Sequence, residues 1–284
     1  MRQVKYLIKE AKENTNTRDV EAISNELCFR LLTRAQSYLM AYLYNKNIES
    51  KIFRGTDTIE IQNSVDTYDL PADIYAVNSI STVQYVTGAG ANISYTPVDL
   101  IADKDRGLRS GYILAKDKMI FSPVPTMAGN FLVTYTKKLP ALATSYGTIQ
   151  SVTPTTIVLA PGYTSLTDID DLFTVVNSSG EIIVNDLPVS QVGDTLTVPS
   201  TAGVSSGMFV VPGKYASTHC FLPDEMESVM IYWLERLIQM RLSSTDINIS
   251  SAISNEQLEE VATMFADNVG DSFIPPIREY GEWV

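Results

Sequence analysis

The chain has 284 residues, 45% hydrophobic and 19% charged, a balance that excludes a disordered protein and suffices for one large domain or two modest ones. No apolar run approaches the roughly 18–20 residues that span a bilayer, and the opening MRQVKYLIKEAKEN mixes charge with apolar residues, so neither a membrane helix nor a secretory leader is expected. The net charge of −12 is uneven, with 17 Lys and Arg against 15 Asp and Glu in residues 1–144 but 4 against 18 in residues 145–284, and so acidic a half argues against gripping phosphates.

Four helical segments are predicted at the two chain ends. The first, about residues 2–13, carries Val4, Leu7, Ile8 and Ala11 at helical spacing. The second takes Thr17 as N-cap, with Asp19 and Glu21 in a first turn where the helix dipole favours acids. Val20, Ile23, Leu27, Leu31, Ala35, Tyr38 and Tyr42 then follow at steps of three or four to about Asn45, opposite Arg18, Asn25, Arg30 and Gln36. Cys28 falls on this helix and Cys220 just before the next, as buried free thiols rather than a disulfide framework, which suits folding in a reducing cytoplasm.

In the middle of the chain the period changes to two. Thr58 to Ile61 alternates, Tyr68-Asp69-Leu70-Pro71 interrupts, and Ile80 to Val86 resumes before a hairpin tip at Gly88-Ala89-Gly90. Gly111 to Leu114 and Met119 to Phe121 flank the turn Lys116-Asp117-Lys118, and Phe131 to Tyr135 follows a turn at Met127 to Asn130. With no crossover helices this is predicted to be an antiparallel meander. A second β-rich block has strands predicted at 156–159, 172–176, 181–184, 196–198 and 208–211; residues 146–211 contain six acids and no Lys or Arg. Its short strands and frequent turns suggest a small barrel or sandwich.

The third helix starts near Pro223, with Asp224, Glu225 and Glu227 in its first turn. Met226, Val229, Met230, Trp233, Leu234, Leu237 and Met240 make a stripe wide enough to need partners on more than one side, the second helix among them. The fourth opens with Ser254 and Gln257 at capping-box spacing, buries Leu258, Val261, Ala262 and Phe265, and stops at Gly270. Beyond it lies DSFIPPIREYGEWV, an apolar segment that cannot be helical at Pro275-Pro276 and that its own subunit or a neighbour must cover. The expected fold class is therefore α+β: a helical bundle from both chain ends (1–57 and 214–270), an antiparallel β-meander (58–144), an inserted small β-barrel or sandwich (145–213), and an extended apolar arm (271–284).

Chemistry-bearing patterns are few. Any nucleophile–base arrangement must use the single histidine, His219, and its sequence neighbour Cys220 is not how such pairs normally meet; both are assigned to structure. His and Cys are too few for a metal site of that kind. Asp168, Asp170 and Asp171 alternate like calcium ligands, but the sixth position, Phe173, stands where an EF-hand loop needs glycine, so a solvated turn is preferred. Phosphate-binding glycine motifs are absent, and nothing selects a carboxylate pair for sugar hydrolysis. Lys104, Arg106, Arg109, Lys116 and Lys118 are interleaved with Asp103, Asp105 and Asp117, which favours a salt-bridged face, or a patch meeting an acidic neighbouring subunit, over nucleic-acid gripping. No catalytic residue, metal or cofactor is predicted.

The stretch Tyr68-Asp-Leu-Pro-Ala-Asp73, then Gly111-Tyr-Ile-Leu, Phe121-Ser-Pro-Val-Pro125, Val133-Thr-Tyr135 and Leu139-Pro140, flanked by the terminal helices, resembles the head-to-tail connector and tubular tail adaptor proteins of short-tailed double-stranded DNA phages. Residues 15–144 and 215–284 carry the resemblance; 146–213 lies outside it. It implies a structural virion protein that assembles in the host cytoplasm into a ring of about twelve copies at the head–tail junction. Such a ring docks beneath the portal protein, continues the DNA channel and supports tail or nozzle proteins. Double-stranded DNA would pass without specific binding, which an acidic surface suits, and no membrane is involved. It also makes Phe273, Ile274, Pro275, Pro276, Ile277, Tyr280 and Trp283 the expected contacts with the portal or a neighbouring subunit. The competing readings are another collar or tail-tube subunit, or a glycan-binding or hydrolytic tail module built on 145–213.

Overall fold

The computed structural model describes residues 3–46, 53–71, 73–88, 93–116, 118–126, 128–163, 172–222, 224–243 and 249–267. Its helices are α1 (Val4–Asn14), α2 (Asn25–Asn45), α3 (Glu227–Leu242), the single turn α4 (Ile249–Ala252) and α5 (Asn255–Asp267). Val4, Leu7, Ile8 and Ala11 are the buried face of α1, as their spacing predicts. The breadth of the α3 stripe is explained by its neighbours: α1 and α2 both pack against it, and Met230, Trp233, Leu234, Leu237 and Ile238 are buried among them. The largest hydrophobic cluster thus joins the two ends of the chain.

Two helix starts show how local caps decide boundaries. At α5, Ser254 N donates to Gln257 Oε1 (3.2 Å) and Gln257 N donates to Ser254 Oγ (3.3 Å), the reciprocal capping box. For α2 the expected start at Thr17 is corrected to Asn25, with Ser24 as the cap: its Oγ accepts from Leu27 N at 3.1 Å. The Ile23 carbonyl accepts instead from Lys12 Nζ at 2.8 Å, and Ile23 and Cys28 bracket the cap as wholly buried residues, in the positions of a hydrophobic staple. Thr17 is buried in the preceding turns, paired with Thr15 Oγ1 at 2.8 Å.

The first β region contains β1 (Arg54–Ile61), β2 (Thr67–Asp69), β3 (Ile80–Thr87), β4 (Ser94–Pro97), β5 (Gly111–Ala115), β6 (Lys118–Ser122) and β7 (Gly129–Thr136). It is antiparallel but not the meander expected: one sheet has the order β1-β7-β3-β4 and a second the order β2-β6-β5. Burial supplies the reason. Successive residues Val133, Thr134 and Tyr135 of β7 are all buried, which fits a central strand, so β7 inserts between β1 and β3.

The second region follows β8 (Ala141–Leu142) with β9 (Gly147–Thr153), β10 (Thr156–Leu159), β11 (Leu172–Val176), β12 (Ile182–Pro188), β13 (Ser190–Val192), β14 (Thr195–Thr197) and β15 (Phe209–Pro212), and closes with β16 (Ala216–Ser217). The pair β8–β16, where the chain enters and leaves the block, is parallel. The other seven strands form one sheet in the order β12-β11-β15-β9-β10-β14-β13. Its end strands β12 and β13 are separated in the chain by Val189 alone, so the sheet curls until its two edges meet at that residue. Ile149, Ile157, Phe173, Val175, Leu196 and Val210 fill the inside. The expected barrel or sandwich is corrected to this curled sheet: no closed barrel is formed among the described residues. The near-continuous stretch 182–192 pairs with β11 through β12 and with β14 through β13, and so bridges the two ends of the sheet around this core.

Candidate interaction surfaces

The motif residues singled out in the sequence build the frame of the first β region. Tyr68 lies edge-on to Phe121 (5.8 Å between centroids), which packs on Phe131 (4.3 Å), and the Tyr68 hydroxyl donates to Val65 O at 2.9 Å. Asp73, the last residue of the first motif, accepts from the Tyr135 hydroxyl at 2.5 Å and lies 3.7 Å from Lys137 Nζ. Burial first, and Asp73 second, push the Tyr135 phenol well above its ordinary pKa, so it stays a donor. Gly55 is what lets that ring lie flat across β1: a Cβ there would come within 2.7 Å of it. Pro140 O accepts from the buried Gln36 Nε2 at 2.6 Å, which fastens the sheets to the bundle.

One surface grows out of this frame at the Phe121-Ser-Pro-Val-Pro125 turn. Ser122 Oγ accepts from Gly107 N at 2.8 Å, and Ser64 N donates to Pro125 O at 2.9 Å, so three loops converge. Leu108, 81% exposed, stands at the convergence with exposed Val65 and Val124. Around it Arg106 pairs with Asp66 at 2.8 Å. The Asp66 carboxyl is held below its ordinary pKa by the Thr67 hydroxyl first, with Arg106 adding. Lys118 pairs with Asp69. Two of the five basic residues, Arg106 and Lys118, are thus ion-paired, with acids supplied by residues next to or within β2. Val192, also 81% exposed, marks a second apolar tip on the acidic sheet, beside Asp194. Sequence reasoning missed both tips; an apolar residue inside Arg-Gly-Leu-Arg was the available signal for the first.

His219 is buried where the N-terminus, the acidic sheet and the approach to α3 meet. Its Nδ1 pairs with Thr218 Oγ1 at 2.9 Å, its backbone forms a bridge with Gln3, and the Phe209 ring lies 6.2 Å away. Gly180, at φ +94°, lies against the His219 side chain, and a Cβ there would approach its Cβ to 2.7 Å and its ring to 2.8 Å. Cys28 and Cys220 are free and buried, and burial pushes both thiols up to about 11, which disarms them as nucleophiles. No group of three or more His, Cys, Asp or Glu side chains suited to a metal ion occurs among the described residues, and no described helix is long and apolar enough to cross a membrane. Asp168, Asp170 and Asp171 lie outside the described residues, as do Phe273, Ile274, Pro275, Pro276, Ile277, Tyr280 and Trp283.

No curated protein matches the chain. The family described as SU10 adaptor protein matches residues 4–157, more than half of the length, from the first residue of α1 through the motif-built sheets into β10. With the terminal helices packed on one another, antiparallel sheets between them in the chain and the motif residues framing the first of those sheets, the chain belongs to the SU10 adaptor protein family, a phage head-to-tail adaptor that serves as a structural component of the virion.

Proposed function

We propose that this adaptor forms a ring of about twelve copies beneath the portal protein, continues the DNA channel and supplies the platform for tail or nozzle proteins. The family match over residues 4–157 carries the reading, and the bundle supports it, because one continuous core joins both ends of each copy. A ring of identical copies joins two different surfaces of each subunit and closes only if the rotation does. The acidic sheet, with no Lys or Arg between residues 146 and 211, is suited to line or flank a path along which DNA slides. The arm from Phe273 to Trp283 is the segment that reaches the portal. Mass determination of the chain alone and with its cognate portal, followed by imaging of the complex, tests this: rings, or a monomer that becomes a ring on the portal, are expected. A stable monomer that ignores the portal removes the reading. Deleting residues 271–284 is expected to abolish portal binding while the bundle stays folded.

A further inference from the structure

Helices α1, α2 and α3 present two exposed surfaces that face opposite ways. Each of the three touches the other two, so they stand as a triangle. At the start of α1 Val4 N donates to Thr218 O at 2.9 Å, and at its end Asn14 Nδ2 donates to Glu235 Oε1 at 2.6 Å, so α1 runs parallel to α3. Between them lies a groove of about 580 Å³. In a triangle the outer cleft between two helices points away from the third, so this groove points away from α2. Glu10, Asp224, Glu227 and Glu235 line it, and among the described residues no Lys or Arg does. Tyr232, 40% exposed, stands on its wall, with Arg236 beyond it, bonded to the Tyr232 hydroxyl at 3.3 Å.

The opposite surface is the outer ridge of α2. Glu26, Arg30, Arg34, Ser37 and Ala41 recur at steps of three and four, and the first four are exposed, while Leu31, Leu32, Ala35, Leu39 and Leu43 hold the buried side. Arg30 lies 3.9 Å from Glu26, and Arg34 forms no ion pair among the described residues, so the ridge keeps a positive excess. The two surfaces match in length: at about 1.5 Å per residue, Arg30 to Ser37 rises about 10 Å and Glu227 to Glu235 about 12 Å. We propose that the α2 ridge of one subunit packs into the α1–α3 groove of the next copy, with Arg30 and Arg34 set among the four carboxylates and Ser37 and Ala41 against Tyr232. The small side chains at 37 and 41 let the helices close up, ridge into groove. A ring requires two different, mutually fitting surfaces on each copy, and opposite faces of one bundle cannot meet within one chain. A portal or tail protein would answer one face only; a second copy answers both. The inference rests on the ring reading and names the contact between its subunits.

Charge reversal on each face, and then on both at once, tests the contact in the full chain, with association followed by sedimentation and imaging, alone and with the cognate portal. R30E/R34E and E10K/E235K are each expected to weaken association between copies about tenfold or more. The chain carrying all four changes is expected to return to within about threefold of the native chain, because a reversed ridge then meets a reversed groove. A variant that merely failed to fold would not be rescued by two further charge changes, so recovery separates contact from stability. Native association in both double variants overturns the proposal. Loss in each without recovery in the combined chain overturns it too, since the two faces then serve different partners. A native chain that forms no ring with or without the portal removes the ring reading and this contact with it, whereas rings that ignore all four charges sink the contact alone.

Discussion

In the region of α1, α2 and β1 to β7, elements far apart in the chain are tied by side chains that reach backbone or each other. Gln36 Nε2 donates to Pro140 O, Thr33 Oγ1 accepts from Leu142 N at 2.9 Å, and Tyr135 donates to Asp73. The curled acidic sheet is built differently. Its core is Val, Ile, Leu and Phe drawn from six of its seven strands, most of its side-chain hydrogen bonds stay within turns, and few polar groups cross it. A frame held by buried polar ties specifies angles between elements and fails when one tie is cut. A curled sheet tolerates polar change and fails when its core is hollowed.

The largest test of that contrast is Phe173→Ala. Phe173 is wholly buried on β11 and stacks with Tyr146 at 5.4 Å. The truncation is expected to cost about 3–5 kcal/mol in denaturant unfolding, with amide exchange quickening in β11 and β15 before α2. Next comes Gln36→Ala, which strands the Pro140 carbonyl in the interior and is expected to cost about 1–3 kcal/mol. Its counterpart in the acidic sheet is Gln191→Ala, where the bond to Gly193 O (2.7 Å) lies on the surface; a change within about 0.5 kcal/mol is expected. Similar losses for the two glutamine variants would erase the distinction.

The joint between the regions gives a pH-dependent effect. Burial, with Lys5 adding to it, holds the His219 imidazole below its ordinary pKa, so the unfolded chain takes up this proton first as pH falls. Stability from this group is present above the unfolded pKa and is lost as pH drops through the folded one, by at most about 1.4 kcal/mol per pH unit. The midpoint of urea unfolding is expected to fall more steeply below about pH 6.5 in the native chain than in His219→Asn. Gly180→Ala loosens the same joint, because its φ of +94° and the imidazole both resist a side chain; about 1–3 kcal/mol is expected at neutral pH.

Much of this was legible in the sequence, and the exceptions have causes. The periodic faces of α1 and α3, the capping box of α5 and strands β10 and β11 follow from spacing alone. The start of α2 was misplaced because Thr17 and Ser24 both have capping chemistry, and only the fold brings Lys12 to the Ile23 carbonyl. Strand order was missed because period two says which residues are buried but not which strands meet; β7 finds β1 across the chain. The curl of the acidic sheet rests on Val189 lying between its two edges, a property of topology with no residue signature. The motif residues were recognised as a combination, yet their role as ties, such as Asp73 to Tyr135, required coordinates.

Salt gives the smallest effect and probes the contrast through charge rather than packing. In the bundle and first sheets, exposed pairs such as Arg30 with Glu26 at 3.9 Å and Arg18 with Glu13 at 3.6 Å contribute at most a few tenths of a kcal/mol each. Raising the ionic strength to about 0.5 M shortens the screening length to a few ångströms and removes part of that gain. The acidic sheet has no cation among residues 146–211 to lose, and its acids repel one another, so screening relieves it. Amide exchange in β11 and β15 is therefore expected to slow with added sodium chloride while exchange in α2 stays level or quickens slightly, each by less than about 1 kcal/mol. Matching slowing in both regions would point to general salting-out, in which excluded salt favours the compact native state, and not to charge segregation. Opposite signs would show that the uneven charge along the chain acts locally, as a surface tuned to repel rather than to hold.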